Sequence, residues 1–66
     1  MTTPPPDDTF IDSLVGRPLD EATRMAIDGG WLVRPYAPGS PLTMDYRLER
    51  VNLEHEGDVV TRAWVG

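Results

Sequence analysis

Residues 48–54 read Leu48-Glu49-Arg50-Val51-Asn52-Leu53-Glu54. In an extended chain, successive side chains point to opposite faces. Val51 and Leu53 then share one face, while Arg50, Asn52 and Glu54 share the other. The stretch is read as a strand with an apolar underside and a polar upper side, and the rest of the chain is arranged around it.

Downstream, Glu54-His55-Glu56-Gly57-Asp58 is read as a tight turn, and residues 58–65 as a last strand. Upstream, residues 37–47 form a long irregular connection punctuated by Pro38, Gly39 and Pro41. Trp31-Leu32-Val33-Arg34-Pro35-Tyr36 precedes it and reads as a strand. Pro35 cannot donate to a ladder, so that part belongs at a sheet edge or at the end of pairing.

A helix is expected from near Pro18, because proline suits the first helical position. Asp20 and Glu21 favour the positive end of its dipole. Leu19, Ala22, Ala26 and Ile27 recur at helical spacing with Met25 on the flank, and Gly29-Gly30 supplies a left-handed stop. Phe10, Leu14 and Val15 are candidates for the core rim. Residues 1–9, with Pro4-Pro5-Pro6 and Asp7-Asp8, read as a disordered tail. The domain proper is residues 10–66, a small α+β fold with one helix on one face of a short sheet.

The chain has 66 residues, enough for one domain. A domain of this size buries only about 60% of the surface its unfolded chain exposes, so its core is small. There is no cysteine, hence no disulfide framework and no thiolate metal site. Eleven acids against six arginines leave a net charge of −5, which argues against nucleic acid or an anionic membrane as partner. No apolar run approaches the roughly 20 residues that span a bilayer, and the polar, acidic start does not resemble a signal peptide. The expectation is a cytoplasmic protein, or a secreted one whose leader lies outside this chain.

Catalytic chemistry is hard to assemble from these residues. His55 is the only histidine, and it falls in an acidic turn with Glu54, Glu56 and Asp58. Adjacent acids in a solvated turn do not converge as a metal-ligand set. The serines have no evident base, and Gly29-Gly30 is a helix stop rather than a phosphate cradle. Trp31 and Trp64 are expected to pack. The expectation is no enzyme, no catalytic residue, no metal and no cofactor.

The connection is the anomaly, since long irregular loops in small domains are often functional. If it folds back over the polar face of residues 48–54, Arg50 and Asn52 can donate hydrogen bonds to it. Thr43 and Asp45 offer acceptors on either side of Met44, which is left exposed at the tip.

These residues resemble the potato inhibitor I family of serine protease inhibitors. The resemblance starts at Leu14-Val15-Gly16-Arg17 and Asp20-Glu21-Ala22. It continues through Pro38-Gly39-Ser40-Pro41-Leu42-Thr43-Met44-Asp45-Tyr46-Arg47 and Arg50-Val51, and ends on Val65-Gly66. It implies an α+β fold with a single α-helix packed on a small mixed β-sheet and a long exposed reactive-site loop between two strands. Met44–Asp45 matches the reactive-site bond, with Met44 entering the protease's primary specificity pocket. Pro41, Leu42, Thr43, Tyr46 and Arg47 match the flanking residues that contact the protease. Arg50 matches an arginine that supports the loop from below, and Gly66 the glycine beside it.

The implied activity is substrate-like inhibition of subtilisin-like or chymotrypsin-like serine proteases by a monomer. The alternative is a non-inhibitory interaction module that keeps the fold and uses the loop for another partner. The chain departs from the family pattern in places. Asn52 stands where well-known members carry a second supporting arginine, so one charge-assisted tether is lost or becomes water-mediated. Pro18 replaces a Ser or Thr helix cap, whose hydrogen bond is worth about 1 kcal/mol.

Overall fold

The computed structural model describes residues 4–66 and shows two helices on a three-stranded mixed sheet. The elements are α1 (Asp8–Leu14), α2 (Leu19–Asp28), β1 (Leu32–Tyr36), β2 (Arg50–Glu56) and β3 (Val59–Val65). Of the expected tail, residues 1–3 lie outside the described residues, while Asp8 and Thr9 open a helix.

That helix corrects the expectation of a single one. Asp7 is its N-cap, and its carboxylate accepts from the Phe10 amide at 2.8 Å, one of the four amides a helix start leaves unpaired. Ile11 and Leu14, three apart on one face, are buried. Phe10 packs on Trp31 with ring centroids 4.8 Å apart, and Trp31 Nε1 donates to Pro4 O at 2.7 Å. Pro6 is buried too. The aspartates read as part of a disordered tail in fact start a helix in which only two side chains, Ile11 and Leu14, are buried. Val15, expected at the core rim, lies just past the helix and is exposed.

Pro18 is the N-cap of α2 rather than its first residue, and it makes no side-chain capping bond. The Leu19 amide instead donates to Asp58 O in the β2–β3 turn at 2.6 Å, so a distant turn satisfies one orphan donor. Ala22 and Ala26 are buried against the sheet, with Leu19 and Met25 at their flanks. Ile27 is exposed, contrary to the periodic reading. It lies about 100° or more round the helix from both alanines.

The two glycines after α2 have separate causes. Trp31 N donates to Ala26 O at 3.1 Å and Gly30 N to Ile27 O at 2.9 Å, the bond pair of a Schellman stop. Gly30 carries the left-handed backbone, with φ +93°, while Gly29 stays right-handed. A Cβ on Gly29 would sit 2.3 Å from the Trp31 ring, so Gly29 is there for space.

The sheet order is β1-β2-β3. β1 runs parallel to β2, with Val33 beside Val51 and Arg34 beside Asn52. β3 returns antiparallel, with Asn52 beside Trp64. Parallel neighbours need a crossover of about a dozen residues, usually helical. Here residues 37–49 make the crossover without a helix, so the length of the loop is imposed by strand direction. β2 reaches Glu56, which moves His55 out of the expected turn and into the strand, beside a register shift at Glu54/His55.

Val51, Leu53 and Val60 face the helices and complete the core with Ile11, Leu14, Ala22 and Ala26. Asn52 lies on the other face and is also fully buried. Pro35 sits on the outer strand β1, as its missing donor requires. The start of β3's outer edge is taken by the link between the helices. Gly16 N donates to Val60 O at 2.8 Å, and Val60 N to Arg17 O at 3.0 Å.

Candidate functional site: the tethered crossover loop

The loop is shaped at both ends by turns. Ser40 N donates to Ala37 O at 3.1 Å across Pro38-Gly39, and Gly39 has φ +81°. Proline followed by a left-handed glycine is the signature of a type II turn. At the far end, Arg50 N donates to Arg47 O at 3.2 Å.

Between the turns, Met44 is completely exposed. The residues on either side of it are bound. The Thr43 hydroxyl donates to Asp45 Oδ1 and accepts from Arg34 Nη1 at 2.7 Å. Arg50 grips Asp45 twice, Nη1 on Oδ2 and Nη2 on the main-chain O, each at 3.0 Å, while its Nε donates to Gly66 O at 2.8 Å. Arg34 and Arg47 stand at 3.7 and 3.8 Å from the same carboxylate. The Thr43 hydroxyl and then Arg50 hold the Asp45 pKa down, from 3.8 to about 2. Both favour the ionised form.

Asn52 does not reach the loop as the sequence reading expects. Its Oδ1 accepts from Arg34 Nε at 2.7 Å, and its Nδ2 donates to Gly66 O at 3.1 Å. The shorter side chain thus becomes a post for a second arginine, which comes from β1. A closed ring results, running Thr43, Arg34, Asn52, Gly66 O, Arg50, Asp45 and back to Thr43. Every buried polar side-chain atom among the described residues has a partner.

Sequence reasoning missed Arg34. Its signal was present, since Arg34 alternates with Val33 and so points to the polar face. Only the parallel register, which places Arg34 beside Asn52, turns that orientation into a contact. Met44, Asp45, Thr43, Arg50 and Gly66 do come together. Pro41 is exposed and Leu42 half-buried. Tyr46 is exposed over most of its surface, and Arg47 also pairs with Glu49 at 3.5 Å. A Cβ on Gly66 would come within 2.8 Å of the Trp64 ring and 3.2 Å of the Tyr46 ring, so the Gly66 backbone lies between them. Residues 45–49, the five that follow Met44, line a shallow concavity.

The arrangement presents one unbranched apolar side chain at the tip of a segment whose neighbours are fixed from below. No protein-family model matches the chain, and a search of the curated proteins finds no relative.

Proposed function

We propose that the chain is a serine protease inhibitor that acts as a tethered substrate, with Met44–Asp45 as the reactive-site bond. One observation carries this reading. Met44 is fully exposed, while Thr43 and Asp45 beside it are held by arginines from two strands. The resemblance of residues 38–47 to the potato inhibitor I family supports it.

The loop docks in the protease cleft as an extended peptide, adding backbone pairing to the enzyme's own strands. Because the loop is already held, little entropy is lost on binding, and contact area converts to affinity efficiently. The unbranched thioether of Met44 suits a deep apolar pocket, so the target class is subtilisin-like or chymotrypsin-like. Pro41, Leu42 and Thr43 contact the enzyme before the bond, and Tyr46 and Arg47 after it.

Attack by the enzyme's serine on the Met44 carbonyl breaks the bond to the Asp45 nitrogen, which takes up a proton from the enzyme's general base. Arg50 holds the residue that bears that amine against the sheet. Religation then competes with water.

The test is titration of subtilisin and of chymotrypsin with increasing amounts of the protein. Stoichiometric loss of activity is expected for at least one. Full activity of both enzymes at excess protein refutes the proposal and leaves the loop to a non-inhibitory partner.

A further inference from the structure

Cleavage at Met44–Asp45 would divide the molecule unevenly. The piece ending at Met44 carries α1, α2 and β1; the piece beginning at Asp45 carries β2 and β3. Sorting the tethers by piece separates the two supporting arginines. Arg50 belongs to the second piece and bonds only within it, to Asp45 and Gly66. Arg47 likewise pairs with Asp45 and Glu49 of its own piece.

Arg34 belongs to the first piece and reaches across the cut. Its Nε donates to Asn52 Oδ1 at 2.7 Å, and its Nη1 lies 3.7 Å from Asp45 Oδ1. It also donates to Thr43 Oγ1 on its own side. That bond occupies an oxygen lone pair and turns the hydroxyl proton toward Asp45, the other link over the cut. Among the described residues, Arg34 is thus the arginine whose side-chain bonds span the reactive bond.

We infer that Arg34 is the positioning residue that keeps the two new chain ends in register after cleavage, and so sets how readily the Met44–Asp45 bond is remade. This rests on the proposed inhibitory reading. The duties of the arginines divide: Arg50 fixes the amine-bearing end within its own piece, and Arg34 locks that piece to the acyl-bearing one. The sheet and core hold the pieces together as bodies, but Arg34 aligns their tips. In religation the enzyme's serine first esterifies the Met44 carboxyl group with loss of water, and the Asp45 amine then attacks the ester carbon. The carbon–nitrogen bond forms, the serine oxygen leaves, and the proton passes from the amine back to that oxygen through the enzyme's base.

The test compares wild type, Arg34→Gln, Arg34→Lys and Val33→Ala. Each protein is cleaved at Met44–Asp45 with subtilisin, purified, and returned to a trace of enzyme, with recovery of intact chain followed by mass spectrometry. Val33 packs on the core from the same strand, so Val33→Ala lowers stability without touching the loop. Arg34→Gln should religate about tenfold more slowly or worse, the loss that one charge-assisted bond implies. Arg34→Lys keeps a charge but lacks the two-pronged fork, and should fall between. Val33→Ala should religate at the wild-type rate despite a lower Tm.

Wild-type religation in either arginine variant, or slowing that merely follows Tm across all the variants, overturns the inference and leaves the inhibitory reading standing. Failure of wild-type protein to inhibit overturns both.

Discussion

Removing the Asn52 side chain is the sharpest test of the ring beneath the loop. Asn52 is fully buried, and both of its polar atoms are bonded, to Arg34 and to Gly66. Asn52→Ala deletes one bond from a charged donor, worth about 1.5–3 kcal/mol, and one neutral bond, worth about 0.5–1.5 kcal/mol. Arg34 is mostly buried at its side chain, so its Nε is left facing a small void rather than bulk water. A loss of about 2–4 kcal/mol is expected. A domain of this size has only about 3–10 kcal/mol in total. At about 4–8 °C per kcal/mol, Tm should fall by roughly 10–30 °C. Trp31 and Trp64 provide the fluorescence signal for urea unfolding, and the midpoint should move with little change in slope. A loss under about 0.5 kcal/mol, the scale of an ordinary surface substitution, would mean that water takes over both bonds and that the ring is not a structural unit.

Other expectations test the loop itself. Met44→Lys should move inhibition from subtilisin and chymotrypsin toward trypsin, whose pocket carries a carboxylate; unchanged selectivity removes Met44 from the specificity pocket. Arg50→Ala should turn the protein from inhibitor toward substrate, seen as rapid and complete cleavage at Met44–Asp45, whereas intact protein after long incubation counts against Arg50 as the anchor. Asp45 should titrate near pH 2 by carboxyl NMR. Because its pKa is lowered on folding, its tether is fully present above pH 3.8 and is lost as pH falls through about 2. A midpoint at the ordinary carboxylate value would show the carboxylate free of its partners.

The legible part of this fold is the part with a clean period. The alternation of Val51 and Leu53 against Arg50 and Asn52 identifies β2 and its two faces from residues alone. The alanine stripe and the double glycine give α2 and its end. α1 escaped because its stripe is two residues long, and its cap, Asp7, follows three prolines and reads as solvated. Ile27 misled because spacing shows that a residue can share a face, not how wide the buried face is. Small alanines let the helix sit close, and the stripe is narrow. In the site, Asp45, Thr43 and Arg50 were legible because they lie within a few residues of one another. Arg34 and Asn52 are linked by a parallel pairing that no local pattern encodes. Asn52, expected to tether the loop itself, instead holds Arg34 of the neighbouring strand, which does.

The link between the helices has a consequence for colloidal behaviour. A three-stranded sheet has two outer strands, each a template on which another chain can grow. At β3 the template is taken only at its start, where Gly16 N bonds the carbonyl of Val60, Arg17 O accepts from the Val60 amide, and Leu19 N takes Asp58 O in the preceding turn. At β1, Pro35 offers no amide and interrupts any incoming ladder midway. A peptide adding to this sheet would find one edge occupied at its start and the other broken. A domain without disulfides can therefore hold an extended, uncovered peptide while interrupting, on each outer strand, the edge through which such peptides commonly aggregate.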